Sequence, residues 1–339
     1  MRFRRGCAAS LVVLLLLSFI GAFGLYLWWH WATRAVGGPR RIVRVQIARG
    51  AAVHTVAAEL ERDGLIRSAF LFAWRARGAT LRPGYYDLQP TEPPRDILRR
   101  LERGDIATIR VTFPEGFTTR QIAHRLAEKG VVANEQAFLT LVTTQGNTLH
   151  ASFAPPANLE GYLFPDTYRF PVGSTDTETA QQMLGEFDHL VVQSHADDIR
   201  ASGRSLHDIL TVASLVEGEA ETDADRPRIA GVIYNRLARQ MRLEIDATVQ
   251  YAQGFHKSRL LYRDLAVDSP YNTYKISGLP PGPICSPGLP SIEAALHPEA
   301  SEYLFYVAGP DGKSHIFSRT LAEHNANVAR MRRLRRAGE

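Results

Sequence analysis

The feature that most constrains this chain is a long uncharged apolar segment near its amino terminus. The 24 residues from Gly6 to Trp29 contain no charged side chain and include the run LVVLLLLSFI. As a helix they extend roughly 36 Å, which exceeds the bilayer core of about 30 Å. A cleaved signal peptide has a shorter apolar region, of about 7–15 residues, and ends in small residues. Because this run ends in Trp28, Trp29 and Trp31, which are typical of a membrane interface, we predict an uncleaved single transmembrane helix over residues 10–31.

The charges around this segment predict its orientation. The chain has 40 Lys and Arg against 35 Asp and Glu, a net charge of +5, and residues 1–41 contain six arginines and no acid. The basic character therefore belongs to the amino-terminal segment and gives no support to nucleic-acid binding. Arg2, Arg4 and Arg5 lie closer to the apolar segment than the arginines that follow it. We therefore predict residues 1–9 as a short cytoplasmic tail and the rest of the chain on the outer side of the inner membrane.

A repeated segment follows the anchor. The sequence VQIARGAAVHTVAAELERDGLI, from Val45, matches VTFPEGFTTRQIAHRLAEKGVV, from Val111, at an offset of 66 residues. In both copies β-forming residues end at a glycine, Gly50 or Gly116, and an amphipathic helix pattern follows. The intervening PGYYDLQP and DILRRLERG predict a hairpin strand and a second helix. This unit predicts a small α+β module at residues 42–110.

The most informative stretch is the helix pattern DILTVASLVEGEA. Its apolar side chains cover nearly all directions of a helical wheel, which predicts a helix buried on all sides. Glu217 falls within this apolar surface, and Gly218 is expected to be a left-handed cap that ends the helix. Burial and the negative end of the helix dipole would both favour the protonated carboxylic acid, which is the form that a general acid needs. A glutamate that reaches past the helix end into solvent, or a structural ion pair, is the alternative.

The next helix pattern, RIAGVIYNRLARQM, places a charged residue in an apolar stripe. Arg236 projects into this stripe and Asn235 flanks it. A buried guanidinium needs a carboxylate partner, and Glu219 and Glu221 are the nearest candidates in the sequence. The acidic EGEAETDAD lacks the ligand order of a calcium loop, and no His or Cys cluster has zinc spacing, so we predict no metal and no cofactor. The absence of a G-x-S-x-G motif disfavours a serine hydrolase.

Several segments together resemble the YceG-like family of endolytic murein transglycosylases, usually called MltG. They are NLEGYLFPDTY, ASLVEGEA, VIYNRL, DATVQY, YNTYKISGLPPGPICSPG and EHNANV, in the order and spacing of that family. The resemblance covers roughly residues 42–330. It implies an α+β fold with a single amino-terminal transmembrane helix, a LysM-like α+β module at 42–110, a larger α+β catalytic domain at 111–330 and a basic tail at 331–339.

The resemblance also implies an activity and partners. Members cleave nascent glycan strands of peptidoglycan between N-acetylmuramic acid and N-acetylglucosamine, leave a 1,6-anhydro end and so terminate strand elongation. The family implies a location in the cytoplasmic membrane beside the peptidoglycan glycan polymerases. The family's essential glutamate, in its ASxVExE motif, falls on Glu217. The substrate-binding residues that we predict are Glu160, Tyr162, Glu219, Asn235, Arg236, Asn272, Thr273 and Tyr274. Many members have Asn where this chain has Ser286, so we expect an altered sugar contact here without loss of activity.

Other functions remain open on the sequence alone. A hydrolase of the same glycan would use Glu160 or Glu219 as a second carboxylate, because ordinary glycosidases work with a pair. A lyase needs only one, because its nucleophile is the C6 hydroxyl of the sugar itself. A non-catalytic glycan-binding membrane anchor would depend on the LysM-like repeat. A scaffold for the elongation or division machinery is compatible with enzymatic activity.

Overall fold

The structure is a computed structural model of the chain. It describes residues 2–254, 257 and 260–338. The chain forms two compact units, of which the first comprises Met1–Ile109 and Arg169–Gly173 and the second Arg110–Tyr168 and Ser174–Glu339. Both combine helices with short two-stranded sheets, so the predicted α+β class is confirmed.

The described part of the first unit contains four helices, three of which share an apolar core with one pair of strands. Its elements, in chain order, are α1 (Arg2–Ala32), β1 (Val43–Ile47), α2 (Val53–Arg62), α3 (Ala69–Arg75), β2 (Gly84–Leu88) and α4 (Pro94–Arg103). β1 and β2 are antiparallel, with Val45 opposite Tyr86. Leu60, Phe72 and Leu101, from α2, α3 and α4, are buried with these two strands in one apolar core. The predicted hairpin strand and second helix are therefore β2 and α4.

The repeated segment forms the same local structure twice. In the second copy it gives β3 (Thr108–Thr112) and α5 (Thr119–Glu128), and α5 begins 66 residues after α2. The turn between strand and helix has φ of 76° at Gly50 and 78° at Gly116. Residues with a side chain rarely adopt this conformation, so the glycine is needed at both turns. The predicted strand, glycine turn and helix are confirmed in both copies, which lie in different units.

The second unit is mainly helical. Its further elements are α6 (Glu135–Thr144), β4 (Thr167–Pro171), α7 (Asp176–Phe187), α8 (Ala196–Ser202), α9 (Leu206–Glu219), α10 (Arg226–Ala238), α11 (Asp246–Gln253), α12 (Leu289–Leu296), β5 (Phe305–Ala308), β6 (His315–Ser318) and α13 (Leu321–Gly338). β5 and β6 are antiparallel, and β3 pairs with β4. The described part of the predicted basic tail continues α13.

The helix α9 lies among other helices and positions the site described below. Ser205 caps its amino terminus by accepting a hydrogen bond from the backbone of Asp208 at 3.0 Å. Every residue from Ile209 to Val216 is buried, and α9 packs against α10, α11 and α12. The helix that the apolar wheel predicts to be buried on all sides is therefore confirmed.

Gly218 does not have the left-handed conformation that the sequence predicts. α9 continues through Glu219, and Ala220 is the capping residue. The glycine instead permits a close approach of α11, because a Cβ on Gly218 would lie 2.8 Å from the Cβ of Ala247. Such a distance requires the two helices to separate.

We expect Gly218→Ala to lower the free energy of unfolding by about 1–3 kcal/mol, the usual cost of overpacking. Gly218→Ala combined with Ala247→Gly should recover most of this loss, since the second change removes the colliding methyl group. Gly185→Ala is the control: it lies in α7 with nothing within 4 Å of a new Cβ, and should stabilise the chain by about 0.5–1 kcal/mol. Urea unfolding measures all four proteins. An equal loss in the single and double variants would contradict the steric explanation.

The predicted anchor is a helix in the structure. Within α1, the segment Val12–Ala32 is long and apolar enough to cross a membrane. None of the residues in its most apolar 18-residue stretch is buried against the rest of the chain. Its large apolar side chains are exposed, for example Phe19 at 68%. These properties are consistent with a single-pass membrane anchor.

Candidate functional site

The last turn of α9 carries Glu217, whose side chain is only 9% exposed. One carboxylate oxygen, Oε2, accepts three hydrogen bonds: from Arg226 Nη1 at 3.0 Å, Ser291 Oγ at 2.7 Å and the Gly288 amide at 3.2 Å. The other oxygen of Glu217, Oε1, receives no hydrogen bond from the described part of the chain.

Two helix amino termini hold this carboxylate. Arg226 is the first residue of α10, and its Nε also pairs with Asp223 Oδ1 at 3.0 Å. Gly288 is the N-cap of α12 and Ser291 lies in the first turn of that helix. Because unpaired amides and the positive end of the dipole meet at a helix amino terminus, the start of α12 is a favourable place for Oε2, the oxygen of Glu217 that accepts hydrogen bonds.

The surroundings of Glu217 differ from the sequence prediction. The helical wheel predicts apolar walls around the carboxylate, whereas the structure places a guanidinium, a hydroxyl and a backbone amide against it. A wheel represents only its own helix, and these groups belong to α10 and α12. Glu217 therefore forms an ion pair with Arg226. A structural ion pair is one of the alternatives that the sequence analysis gives for this glutamate.

Glu115 is a second carboxylate at this site, and sequence analysis missed it. A Cβ built on Gly288 would lie 2.0 Å from Glu115 Cδ, so the Glu115 carboxyl group occupies the space that the missing side chain leaves. Burial of the Glu115 carboxyl group and the charge of Glu217 both raise the pKa of Glu115, and Arg226 opposes them. The repeat contains a usable signal, because the equivalent residue of the first copy is Arg49 and the charge is therefore reversed.

The backbone beside Glu115 is fixed by Ser286. The Gly116 amide donates to the Ser286 carbonyl at 2.9 Å, and the Ser286 amide donates to the Phe117 carbonyl at 2.8 Å. Ser286 is fully buried, and its hydroxyl has no hydrogen-bond partner among the described residues. A contact between this hydroxyl and a sugar stays a prediction. What the residue supplies is the two backbone bonds that hold Glu115 near Glu217.

A cavity of about 400 Å³ lies at the end of α9. Its polar lining residues are Glu219, Arg236, Glu244, Asp246, Tyr274, Tyr306 and His324. Gly218 also lines it, whereas Glu217 does not. The volume is within the range of small-molecule sites. The structure therefore brings together three of the predicted binding residues, Glu219, Arg236 and Tyr274, next to the helix turn that carries Glu217.

Hydrogen bonds order the cavity wall. Tyr306 donates its hydroxyl to Glu219 Oε2 at 2.9 Å, and Tyr274 donates to Asp246 Oδ1 at 2.7 Å. Burial raises the pKa of Glu219 to about 7, although the bond from Tyr306 opposes this shift. Near neutral pH, the Glu219 side chain can therefore act either as a hydrogen-bond donor or as an acceptor toward a ligand.

Arg236 also lies on this wall, with partners that the sequence did not predict. Its Nε donates to the Leu304 carbonyl at 2.6 Å, and Nη1 donates to the Leu243 carbonyl at 2.7 Å. The carboxylate nearest to it is Glu244, at 3.7 Å from Nη1. The prediction that a glutamate of the EGEAE segment pairs with Arg236 is wrong, because backbone carbonyls satisfy most of its donors.

Four other predicted binding residues have their polar groups engaged within the protein. Asn235 and Asn272 each donate from the side-chain amide to two backbone carbonyl oxygens, at 2.7–3.0 Å. Thr273 is fully buried and accepts from a backbone amide at 2.9 Å. Tyr162 is 2% exposed, with its hydroxyl 3.0 Å from His207 Nδ1. These contacts favour a role in holding loops, and contact with substrate stays a prediction for all four.

Glu160 is a buried carboxyl group that does not line the cavity at the end of α9. Its Oε1 accepts from the Thr119 amide at 2.9 Å and its Oε2 from the Tyr251 hydroxyl at 3.2 Å. The residue is 6% exposed, and burial raises the pKa of Glu160 to about 7 in spite of these hydrogen bonds. A role in holding the EGYLFPDTY segment accounts for this geometry, and a role in substrate binding stays a prediction.

The raised pKa of Glu160 predicts how stability depends on pH. An ordinary value of 4.5 applies to the unfolded chain and about 7 to the folded one. The folded chain therefore holds the proton more firmly, and stability should fall by up to about 3 kcal/mol as the pH rises from 4.5 through 7. We expect Glu160→Gln, which is neutral at every pH, to be more stable than the parent at pH 8 and nearly equal to it at pH 4, below the pKa of 4.5 that applies to the unfolded chain.

Urea unfolding at the two pH values measures this difference. Glu178→Gln is the control of opposite sign, since the capping hydrogen bonds from Thr175 lower the pKa of Glu178. That variant should lose a little stability at pH 8, and the loss should shrink as the pH falls below 4.5 through the lowered pKa of Glu178. A Glu160→Gln protein no more stable than the parent at pH 8 would contradict the assignment.

Comparison with known proteins assigns the chain to a family. The sequence profile described as the YceG-like family matches residues 45–330. The chain belongs to the YceG-like family. It is similar to the endolytic murein transglycosylase of Bacillus subtilis (strain 168), with 37% identity over 301 residues, 84% of this chain and 83% of that protein.

Two further similar proteins support the assignment to this family. The chain is 32% identical over 353 residues to the endolytic murein transglycosylase of Streptococcus pneumoniae serotype 2 (strain D39), covering 94% of this chain and 64% of that protein. The crystal structure of a YceG-like protein of Listeria monocytogenes superimposes with a TM-score of 0.56 at 36% identity, covering 85% of this chain and 99% of that one. The resemblance noted from the motifs is therefore confirmed for this YceG-like chain.

Proposed function

We propose that this chain is an endolytic murein transglycosylase and that Glu217 is its catalytic residue. The observation that carries the proposal is the nearly buried Glu217 carboxylate, with three donors on Oε2 and a free Oε1. The names of the two bacterial relatives support the activity, and the position of Glu217 in the ASLVEGEA segment supports the residue.

In this proposal one carboxyl group performs two proton transfers. Protonated Oε1 of Glu217 donates to the glycosidic oxygen as the bond from that oxygen to C1 of N-acetylmuramic acid breaks, and N-acetylglucosamine leaves. Positive charge develops on the muramic acid ring. The carboxylate then accepts the proton of the C6 hydroxyl while O6 bonds to C1, which closes the 1,6-anhydro ring and restores the acid. No water is consumed, so a second carboxylate to activate water is not needed.

The cavity at the end of α9 is the proposed binding site for one sugar of the strand. Glu219 and Arg236 present polar groups suited to hydroxyl and acetamido groups, and Tyr274 offers an aromatic ring. Carbohydrates bind through such combinations of hydrogen bonds and apolar ring faces. Gly218, the residue that follows Glu217, lines the cavity. A sugar bound there would therefore contact the same helix turn that carries the proposed catalytic carboxylate.

The product ends test the proposed activity. Purified protein is incubated with uncrosslinked glycan strands, and the fragments are separated and analysed by mass spectrometry. We expect internal cleavage with 1,6-anhydro-muramic acid ends, which are 18 Da lighter than hydrolysed ends because a transglycosylase adds no water. Reducing ends without anhydro ends would overturn the lyase assignment and leave a glycan hydrolase.

A glycan hydrolase is the second candidate, and the position of Glu115 favours it. A carboxyl oxygen of Glu115 lies close to the Gly288 backbone, and the Gly288 amide lies 3.2 Å from Oε2 of Glu217. Together these distances place the two carboxyl oxygens no more than about 8 Å apart. Paired carboxylates of glycosidases lie about 5–9.5 Å apart. Glu115 thus takes the place that the sequence analysis gave to Glu160 or Glu219, both of which have other hydrogen-bond partners.

Glu115→Gln separates the two mechanisms. A lyase needs no second carboxylate, so we expect the variant to keep its rate within about tenfold of the parent and to release the same anhydro ends. A hydrolase that depends on Glu115 would lose at least about a hundredfold. Rates are measured with the same glycan strands, and a loss as large as that of a Glu217 variant would contradict the single-carboxylate mechanism.

We also propose the location and organisation of the chain. Residues 1–9 lie in the cytoplasm, residues 10–31 cross the inner membrane, and the LysM-like module at 42–110 and the catalytic domain at 111–330 lie outside it. The arginines before the apolar segment support this orientation. In this position the enzyme would meet strands as the glycan polymerases release them. Protease treatment of intact spheroplasts is the test: it should degrade the chain beyond α1, and protection of residues 42–330 would contradict the orientation.

A further inference from the structure

One side of α3 carries two large aromatic side chains that the first unit leaves uncovered. Phe70 and Trp74 are four residues apart, so they lie on the same side of the helix. They are 70% and 48% exposed, whereas the neighbouring Leu71 and Phe72 are buried. α3 therefore has a defined inner side in the core of the unit and an outer side that is aromatic.

Both ends of α3 are attached to the carboxyl-terminal end of α1. The Trp74 ring meets the Trp29 ring edge to face, with 5.9 Å between centroids. Arg67, just before α3, stacks its guanidinium over Trp31 at 5.1 Å and donates to the Val36 carbonyl at 3.0 Å. Trp29 lies three residues before the end of α1, about 4.5 Å along its axis, so Trp74 lies at the level of the last turn of α1.

Three arginines lie close to these aromatic residues or to the end of α1 in the sequence. Arg34, Arg75 and Arg77 are exposed, and within the described ranges none of them forms an ion pair with a carboxylate. A Trp and Phe surface with arginines beside it matches the composition of a membrane interface, where rings lie at the headgroup level and arginines reach lipid phosphates.

We propose that α3 lies in the headgroup layer of the bilayer that α1 crosses, with Phe70 and Trp74 against the upper acyl chains and the arginines on anionic lipid phosphates. Lipid is the occupant because this surface continues the tryptophan belt of the anchor at the same depth. The first unit is then held on the membrane by two elements instead of swivelling on a single connection. The inference depends on α1 spanning the membrane and not on the enzymatic activity.

The test uses the full chain in vesicles of phosphatidylcholine and phosphatidylglycerol, without other proteins. A nitroxide label on Phe70→Cys, in a Cys7→Ser background, reports depth through its relative accessibility to oxygen and to a water-soluble nickel chelate. Leu17→Cys, in the middle of α1, gives the reference value for acyl chains. We expect the label at 70 to favour oxygen, as the label at 17 does, though less strongly.

A second variant removes the dependence on one label. With Trp28, Trp29 and Trp31 changed to Phe, Trp74 is the remaining tryptophan, and its emission should fall when brominated lipids replace ordinary ones. A label at 70 that favours the nickel chelate, together with unquenched Trp74, would overturn the proposal and point to a protein partner for this surface. Release of the full chain from vesicles at pH 11 would overturn it as well. Both failures leave the release of anhydro ends unaffected as a test of the activity.

Discussion

Replacing Glu217 with Gln should reduce the release of anhydro ends by about 10²–10⁴-fold, the contribution of general acid–base catalysis. The amide oxygen of Gln can still accept hydrogen bonds from Arg226, Ser291 and Gly288. Arg226 also keeps its ion pair with Asp223, so we expect the fold and the binding of glycan to be retained. It cannot donate an acidic proton or accept one back, and both steps fail together. Initial rates on uncrosslinked strands, with melting temperature and glycan affinity measured in parallel, check this result.

Glu221→Gln is the matched control for this variant. Glu221 lies four residues further along the chain and is exposed, beyond the end of α9. Its rate should equal that of the parent. A Glu217→Gln protein that retains more than about a tenth of the parent rate would exclude Glu217 as the acid, because a general acid contributes at least a hundredfold.

The second large effect is expected for Arg226→Met, on stability and on rate together. Arg226 is 8% exposed and pairs with the nearly buried Glu217 at 3.0 Å. Removing one partner of a buried ion pair leaves an uncompensated charge, which typically costs about 3–5 kcal/mol. We expect a loss of this size in the free energy of unfolding. The rate should also fall, because the carboxylate loses the donor that orients its Oε2.

The neighbouring Arg228→Met shows what a surface pair contributes. Arg228 lies on the same helix, two residues on, and pairs with Glu299 at 2.9 Å, with side chains 45% and 40% exposed. Its loss should change stability by no more than about 1 kcal/mol. The double variant Glu217→Gln, Arg226→Met should be more stable than Arg226→Met alone, since it no longer buries an unpaired carboxylate. Additive losses in urea unfolding would show that the two residues do not interact.

The parts of the fold that local patterns determine were predictable. The glycines Gly50 and Gly116, with apolar residues at helical spacing behind them, indicate the strand, turn and helix that both copies form. The uniformly apolar surface of α9 likewise predicts its burial. In each case the information lies within some 20 consecutive residues, and the backbone conformation follows from turn geometry and burial alone.

The surroundings of Glu217 were not predictable in the same way. Ser291 and Gly288 contact it from more than 70 residues away along the chain, and no periodicity within α9 refers to them. The same limit explains the polar residues that were assigned to substrate. Asn272 lies in a motif of the family, but its side chain is engaged with backbone carbonyls of its own loop. A polar residue within a motif can hold a loop or contact a ligand, and the sequence pattern is the same for both.

The duplicated strand–turn–helix segment has an evolutionary consequence. Both duplicates share the turn glycine and the apolar side of the helix, whereas the residue ahead of that glycine differs between them. One duplicate has the arginine Arg49 there, and the other has Glu115, whose carboxyl group lies against Gly288, a donor to the proposed catalytic Glu217. Duplication of such an element provides a second copy of the same turn, in which a single substitution can introduce a functional side chain.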